Sequence, residues 1–179
     1  MKLIVVSGPS GVGKTTVCDR LLLLPSFERV ITATTRAPRA GEQDGIDYHF
    51  LDRATFERWI ADDRFLEWAD VYENKYGSPR AEAEVILARG NFALLNIDVQ
   101  GAASIGAGGI QCLRVFLLPP SAEELEQRLR GRGTDAEDVI ERRLRVAREE
   151  LARQNEFDLC VINDDPQRAA DEIAAAAAG

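Results

Sequence analysis

Leu3, Ile4, Val5 and Val6 form an apolar, largely β-branched run that reads as a buried strand, and residues 16–24, closing on consecutive leucines, have the length and composition of a helix. Pro25 breaks that pattern, and residues 29–33 read as a second strand of alternating or buried type. Polar residues with several Pro and Gly then fill 34–45, a loop, before 46–51 alternate with the period of two expected of a strand. A short helix at 54–61 precedes the apolar run 65–69 and the aromatic-rich segment 71–77. Ser78 reads as an N-cap with Pro79 at the first helical position, opening a helix over 80–89 that Gly90 ends. Residues 91–97 read as a buried strand with Asp98 just past its end, and 113–118 as another. Ser121 and Glu124 make a capping box for a helix to about residue 130. A basic, glycine-punctuated turn follows at 130–133, and Asp135 caps a long helix to about residue 155. The last strand is 159–162, and Asp165-Pro166 starts a final alanine-rich helix.

Strands alternating with helices of this length imply a parallel sheet with helices on both faces, an α/β sandwich. Residues 34–77 interrupt that rhythm and read as a small insertion, which leaves 1–33 and 78–179 as the core. A chain of 179 residues, 45% hydrophobic and 29% charged, suits one globular domain. Its net charge of −8 argues against general affinity for nucleic acid or an anionic membrane. Cys18, Cys112 and Cys160 are odd in number, widely spaced and in apolar surroundings, which favours a reduced, cytoplasmic protein over a disulfide framework or a zinc site. Met1-Lys2 leads directly into the first strand and no apolar run reaches the ~18 residues of a membrane span, so neither a signal peptide nor a transmembrane helix is expected. The only histidine, His49, reads as a surface strand residue without an acid-base role.

The chemistry centres on Gly8-Pro9-Ser10-Gly11-Val12-Gly13-Lys14-Thr15, which fits the phosphate-binding loop pattern G-x-x-x-x-G-K-[ST] between a strand and a helix. In that setting backbone N–H groups of the loop and helix N-terminus point at an anion, so a nucleoside triphosphate needs little side-chain chemistry to be held. Lys14 would reach the β- and γ-phosphates, Thr15 would ligate Mg²⁺, and Thr16 continues the cradle. The loop names one substrate only, so the second must be read from the insertion. There Arg36 and Arg39, with Tyr48 shortly after, make a local cluster of donors whose guanidinium forks suit phosphate oxygens. Glu67 stands between Leu66 and Trp68, where a carboxylate is costly without a partner. A planar base with paired N–H donors, such as guanine, is one such partner.

Further motifs make a resemblance specific. Thr34-Thr35-Arg36-Ala37-Pro38-Arg39, Gly41-Glu42, Gly45 followed by Tyr48, Phe65-Leu66-Glu67-Trp68, Tyr76-Gly77-Ser78, Ile97-Asp98-Val99-Gln100-Gly101, Arg130-Gly131-Arg132-Gly133-Thr134 and Val161-Ile162-Asn163-Asp164-Asp165 together resemble guanylate kinase, in order, over nearly the whole chain. The resemblance implies a P-loop three-layer sandwich with a parallel central sheet, a GMP-binding insertion at 34–77 and a lid segment at about 128–145. It implies transfer of the γ-phosphate of ATP to GMP, with Mg²⁺, by a monomer or weak homo-oligomer. By position, Arg36, Arg39, Tyr48 and Tyr76 would hold the GMP phosphate, and Thr32, Glu67, Ser78 and Asp98 would recognise guanine. Arg132 would cover the adenine side, Arg143, with Arg128 or Arg142, would reach the phosphates on closure, and Asn163 resembles the adenine contact. Arg145 and Arg148 read instead as a solvated helix face interleaved with Glu141, Glu149 and Glu150. No general base is needed, because positioning, Mg²⁺ and cationic stabilisation supply the catalysis.

Two positions depart from the family pattern. Thr32 stands where serine is usual, which keeps a hydroxyl, and Asn96 stands where an aspartate near the metal is usual, which removes a negative charge. Asn96 or Asp98 could still reach the metal through water. Two other readings share the fold: a P-loop kinase acting on a ribose bisphosphate, which would have no need of Glu67, and a non-catalytic guanylate-kinase-like binding domain, which typically has a degraded phosphate loop.

Overall fold

A computed structural model describes residues 2–71, 73–131 and 137–179. Strands β1 (Leu3–Ser7), β2 (Phe27–Arg29), β7 (Phe92–Asn96), β8 (Cys112–Leu118) and β9 (Leu159–Ile162) build a five-stranded sheet in the order β2-β7-β1-β8-β9. Every pairing in it is parallel, so each connection must cross over the sheet, and helices make the crossings. Helices α1 (Lys14–Leu21) and α7 (Pro166–Ala178) cover one face, and α3 (Arg80–Ala88) and α4 (Val99–Ala107) the other. Alternate residues of β1 serve the two layers: Ile4 and Val6 pack with Val17, Leu21 and Ile173, while Leu3 and Val5 pack with Ile86, Ala102 and Ile105. A strand covered on both sides has no polar face, which is why β1 reads as an unbroken apolar run. Burial of each such side chain stabilises the fold by roughly 1.5–3 kcal/mol.

The second sheet joins β3 (Ala33–Thr34), β4 (His49–Phe50), β5 (Phe65–Val71) and β6 (Asn74–Pro79) in the order β4-β3-β6-β5. Its core is small. Phe56 of α2 (Arg53–Ala61) stacks on Phe65 with ring centroids 4.5 Å apart, against Ala33. Gly77 faces this pair, and a Cβ there would come within 2.8 Å of the Phe65 ring. Helices α5 (Ala122–Arg130) and α6 (Glu137–Leu151) pack on each other through Leu125, Leu129 and Ala147.

Several boundaries differ from the sequence reading. The strand expected at 29–33 is two: β2 ends at Arg29 in the parallel sheet, and β3 begins at Ala33 in the other. Both stretches are short, and apolar Val30 and Ile31 stand between them, so periodicity alone does not show the change of sheet. Within 46–51 the strand is only His49 and Phe50, with Tyr48 making an isolated bridge to Asp44, and His49 places Nε2 3.0 Å from Glu82 of α3. Ser78 is the penultimate residue of β6 rather than a cap; Pro79 is the N-cap and helix α3 starts at Arg80. Helix α1 begins earlier than expected, at Lys14, and stops at Leu21. Helix α4 was not foreseen: its glycines and alanines carry little periodic signal, and Asp98, expected past the strand end as a base contact and not as a cap, caps it by accepting from Gly101 N–H at 2.7 Å. Helix α6 ends at Leu151, with a 3₁₀ turn at Gln154–Glu156, and its expected cap Asp135 lies outside the described residues.

Candidate active site

The phosphate loop leaves β1 at Ser7 and enters α1 at Lys14. Two glycines are obligatory there. Gly8 has φ +140°, and a Cβ on it would sit 2.6 Å from the Leu117 carbonyl oxygen; Gly13 has φ +99°, and a Cβ on it would meet the Asn163 amide at 2.5 Å. Gly13 is the N-cap and offers no side-chain acceptor, so the first N–H groups of α1 are left for an anion. Lys14 Nζ donates to the carbonyls of Gly8 at 2.6 Å and Pro9 at 3.1 Å, which folds its charge over the loop. Thr15 and Thr16 are exposed on the first turn.

Beneath the loop, Asn163 at the end of β9 is buried and donates Nδ2 to the Val12 carbonyl at 2.8 Å. Arg128 of α5 donates to the same carbonyl at 3.2 Å and to the Asn163 carbonyl at 3.1 Å. The structure thus gives Asn163 and Arg128 a bracing position against the loop, and Asn163 Oδ1 is buried without a partner. Arg143 is half-buried on α6, whereas Arg132 lies outside the described residues. Glu150 was read as part of a solvated helix face. It is half-buried instead: burial pushes its carboxyl up, and the charge of Lys14 opposes that shift.

Between the two sheets lies a cleft lined by Thr32, Tyr48, Glu67, Tyr76, Asn96 and Asp98. A second cleft, lined by Thr15, Asp19 and Arg29, shares Thr32, Tyr48 and Asn96 with the first, so the cleft beside Glu67 adjoins one that reaches Thr15 at the end of the phosphate loop. Glu67, on β5, is 8% exposed and accepts from Ser78 Oγ at 2.6 Å. Burial pushes its carboxyl up to about 7; the Ser78 bonds pull it down and the Asp98 charge pushes it up. A half-solvated surface glutamate would stay near its ordinary value, so the shift reflects how little water reaches this carboxylate.

Beside Tyr48, Arg36 is clamped. Both of its terminal nitrogens donate to the Glu42 carboxylate at 2.9 Å, its guanidinium carbon is 5.4 Å from the Tyr48 ring centroid, and its buried Nε has no partner among the described residues. Glu42 also accepts from Arg39 N–H at 2.7 Å, while the Arg39 side chain is exposed. The Arg36 guanidinium, followed by the Arg39 amide, holds the Glu42 carboxyl below its usual range. Tyr48 and Tyr76 meet edge to face, 6.1 Å between centroids. Of the residues expected to hold the acceptor, Thr32, Tyr48, Glu67, Tyr76 and Asp98 line one cleft, Ser78 is bonded to Glu67, and Arg36 lies against Tyr48. The role of Glu42 in fixing Arg36 was not foreseen, although the pair Arg36 and Glu42 stands in one short polar loop of the sequence.

Oxygen donors suit a hard cation here. Thr15 and Asn96 line the same cleft and Asp98 borders the adjoining one. Among the described residues no group of three or more His, Cys, Asp or Glu side chains forms a metal cage. Among the described residues no helix is long and apolar enough to cross a membrane.

A parallel sheet covered by helices on both faces, with an intact phosphate-binding loop between its first strand and first helix, defines the class as P-loop α/β proteins. The comparisons narrow it. The family model described as guanylate kinase matches residues 1–177. A guanylate kinase of Carboxydothermus hydrogenoformans is 47% identical over 174 residues, covering 97% of this chain and 85% of the relative, and one of a Synechococcus species is 49% identical, covering 96% and 92%. The crystal structure of guanylate kinase from Anaplasma phagocytophilum superposes with a TM-score of 0.74 at 32% identity, covering 98% of this chain and 83% of that one. The chain belongs to the guanylate kinase family.

Proposed function

We propose that this protein transfers the γ-phosphoryl group of ATP to GMP, giving ADP and GDP, with residues 34–77 as the acceptor-binding unit. The observation that carries the reading is Glu67: a buried carboxylate, bonded to Ser78 and lining a cleft that adjoins the one reaching Thr15 at the end of the phosphate loop. Guanine offers N1–H and N2–H to such a group, whereas adenine offers a bare N1 acceptor at the same edge. Arg36, with its Nε unpaired among the described residues and its fork held by Glu42, supplies positive charge where the acceptor phosphate would lie, with Arg39, Tyr48 and Tyr76 near it.

The donor triphosphate would lie along residues 8–16, with its β- and γ-phosphates at the α1 N-terminus and Lys14. Mg²⁺, when bound, supplies charge neutralisation across the donor phosphates. Thr15 would hold it directly, and Asn96 or Asp98 through water. Lys14 and the loop N–H groups orient the γ-phosphate toward the acceptor cleft and stabilise charge that develops as the bond breaks; Arg143 and Arg132 would add to this from the lid. The acceptor phosphate is itself the nucleophile, so no protein group has to take a proton.

A ribose bisphosphate acceptor has no use for a buried carboxylate paired with Ser78, and a purely structural domain has no use for the complete loop at Gly8 to Thr15. A coupled ADP-release assay with GMP, AMP and ribose bisphosphate in parallel tests the choice. Turnover with GMP at least about 100-fold above the other two is expected; equal or higher turnover with the ribose phosphate, or none with any, overturns the reading.

A further inference from the structure

Gly101 stands in the segment 97–101, at the third position of α4, and is buried. It has no Cβ, and one built there would lie 2.9 Å from Glu67 Oε2 and 3.3 Å from Glu67 Cδ. The nearest other atom, Ile97 Cδ1, would be at an ordinary 3.4 Å. The obstacle is therefore the carboxylate alone. That carboxylate has little freedom to yield, because its other oxygen accepts from Ser78 at 2.6 Å. The backbone of Gly101 is tied as well, its N–H donating to Asp98 at 2.7 Å. A glycine inside a helix costs stability relative to alanine and has a conformational freedom that α4 does not use, since Gly101 is not among the residues with positive φ. Helix formation alone thus favours alanine at this position.

We infer that Gly101 is a positioning residue for the acceptor base: its missing side chain is the space that lets the Glu67 carboxylate stand at the edge of the cleft. This rests on the reading of Glu67 as the guanine partner. A methyl group at residue 101 pushes Glu67 Oε2 away from α4 and off the line to Ser78, so that one oxygen loses its place or the bond to Ser78 is broken. The fold tolerates the change, because the displaced atom is the end of a side chain and not backbone. Recognition does not, because a hydrogen-bonded pair tolerates only a few tenths of an ångström.

Gly101→Ala should still fold cooperatively, with a melting temperature within about 5 °C of wild type because the helix gain offsets part of the cost of the disturbed Glu67–Ser78 pair, while lowering kcat/KM for GMP by about 10- to 100-fold, mainly through KM, with KM for ATP within about twofold of wild type. The same change made in a Glu67→Ala background should lower GMP affinity, measured by calorimetry, by no more than about twofold further. Full additivity in that background overturns the inference, since Gly101 would then act through something other than Glu67. So does a Gly101→Ala protein with wild-type kcat/KM for GMP, or one that does not fold, which would make the residue a packing glycine. If Glu67→Ala alone leaves GMP binding unchanged, the assignment of Glu67 falls and takes this inference with it; a Glu67-dependent enzyme indifferent to Gly101→Ala rejects this inference only.

Discussion

A carboxylate in an apolar strand segment, as Glu67 is on β5, lowers its energy either by taking a proton or by finding donors. In the free protein Ser78 supplies one donor, and the carboxyl titrates near 7. Glu67→Gln keeps the size but turns one acceptor into a donor. The preference for GMP over AMP should then fall by at least about two orders of magnitude, or roughly 2.7 kcal/mol, with KM for ATP little changed. Parallel steady-state kinetics with the two acceptors check this, and unaltered discrimination would remove Glu67 from the base site. Lys14→Ala should reduce turnover by more than about 100-fold at unchanged circular dichroism, because its charge serves the transferred phosphate. Activity within tenfold of wild type would show that it does not. Both side chains are legible in the sequence, one from its motif and one from its cost in an apolar run. Glu42 and Gly101 are not, because their parts depend on what faces them: an arginine fork in one case and a carboxylate in the other.

Elements differ in how openly the sequence announces them. β1 and β7 show as apolar runs because helices cover both their faces, and α5 shows through its capping box, with Ser121 accepting from Glu124 N–H. The change from β2 to β3 does not show, since neither burial nor alternation tells which sheet a residue joins, and α4 hides behind glycine and alanine. The fastening of the phosphate loop is likewise a tertiary matter: Asn163 arrives at Val12 from 151 residues away. Asn163→Ala should cost about 1–3 kcal/mol of stability by leaving the Val12 carbonyl with one donor fewer and a void beside Gly13. It should raise KM for ATP more than KM for GMP. Thermal melts and initial rates with each substrate varied give the answer, and equal effects on both KM values would mean that the brace serves the whole molecule rather than the loop.

For the molecule as a whole, the buried Glu67 carboxyl carries a cost that depends on pH. The Glu67 carboxyl rises from 4.5 to about 7 on folding. The folded state therefore holds the proton over a window in which the unfolded chain has released it, and stability falls as pH rises through that window, by an amount on the order of 3 kcal/mol. Other carboxylates, such as Asp158 beside Arg114, are shifted down and act in the opposite sense, so the measurement is a difference. Chemical denaturation of wild type and Glu67→Gln from pH 4 to 8 should show wild type losing ground between about 4.5 and 7. Saturating GMP should abolish the loss by pairing with the ionised form. A flat difference would mean that the carboxyl titrates normally.

The order of strands in the central sheet also governs when the molecule can come into being. Leu3 pairs with Ala93 on one side and Cys112 on the other, so β1 waits during synthesis for partners made about a hundred residues later. At 5–20 residues per second that delay is roughly 5–20 s. During it Leu3, Ile4, Val5 and Val6 have neither neighbour to bond nor layer to hide in, and the backbone turn that follows them has nothing to press against. A nascent chain interrupted before Ala93 thus exposes β1 on both edges and leaves the loop after it unsupported. A loop made early is held by strands and side chains made late, Asn163 among them, so the longest wait in the fold falls on β1 and the turn that follows it.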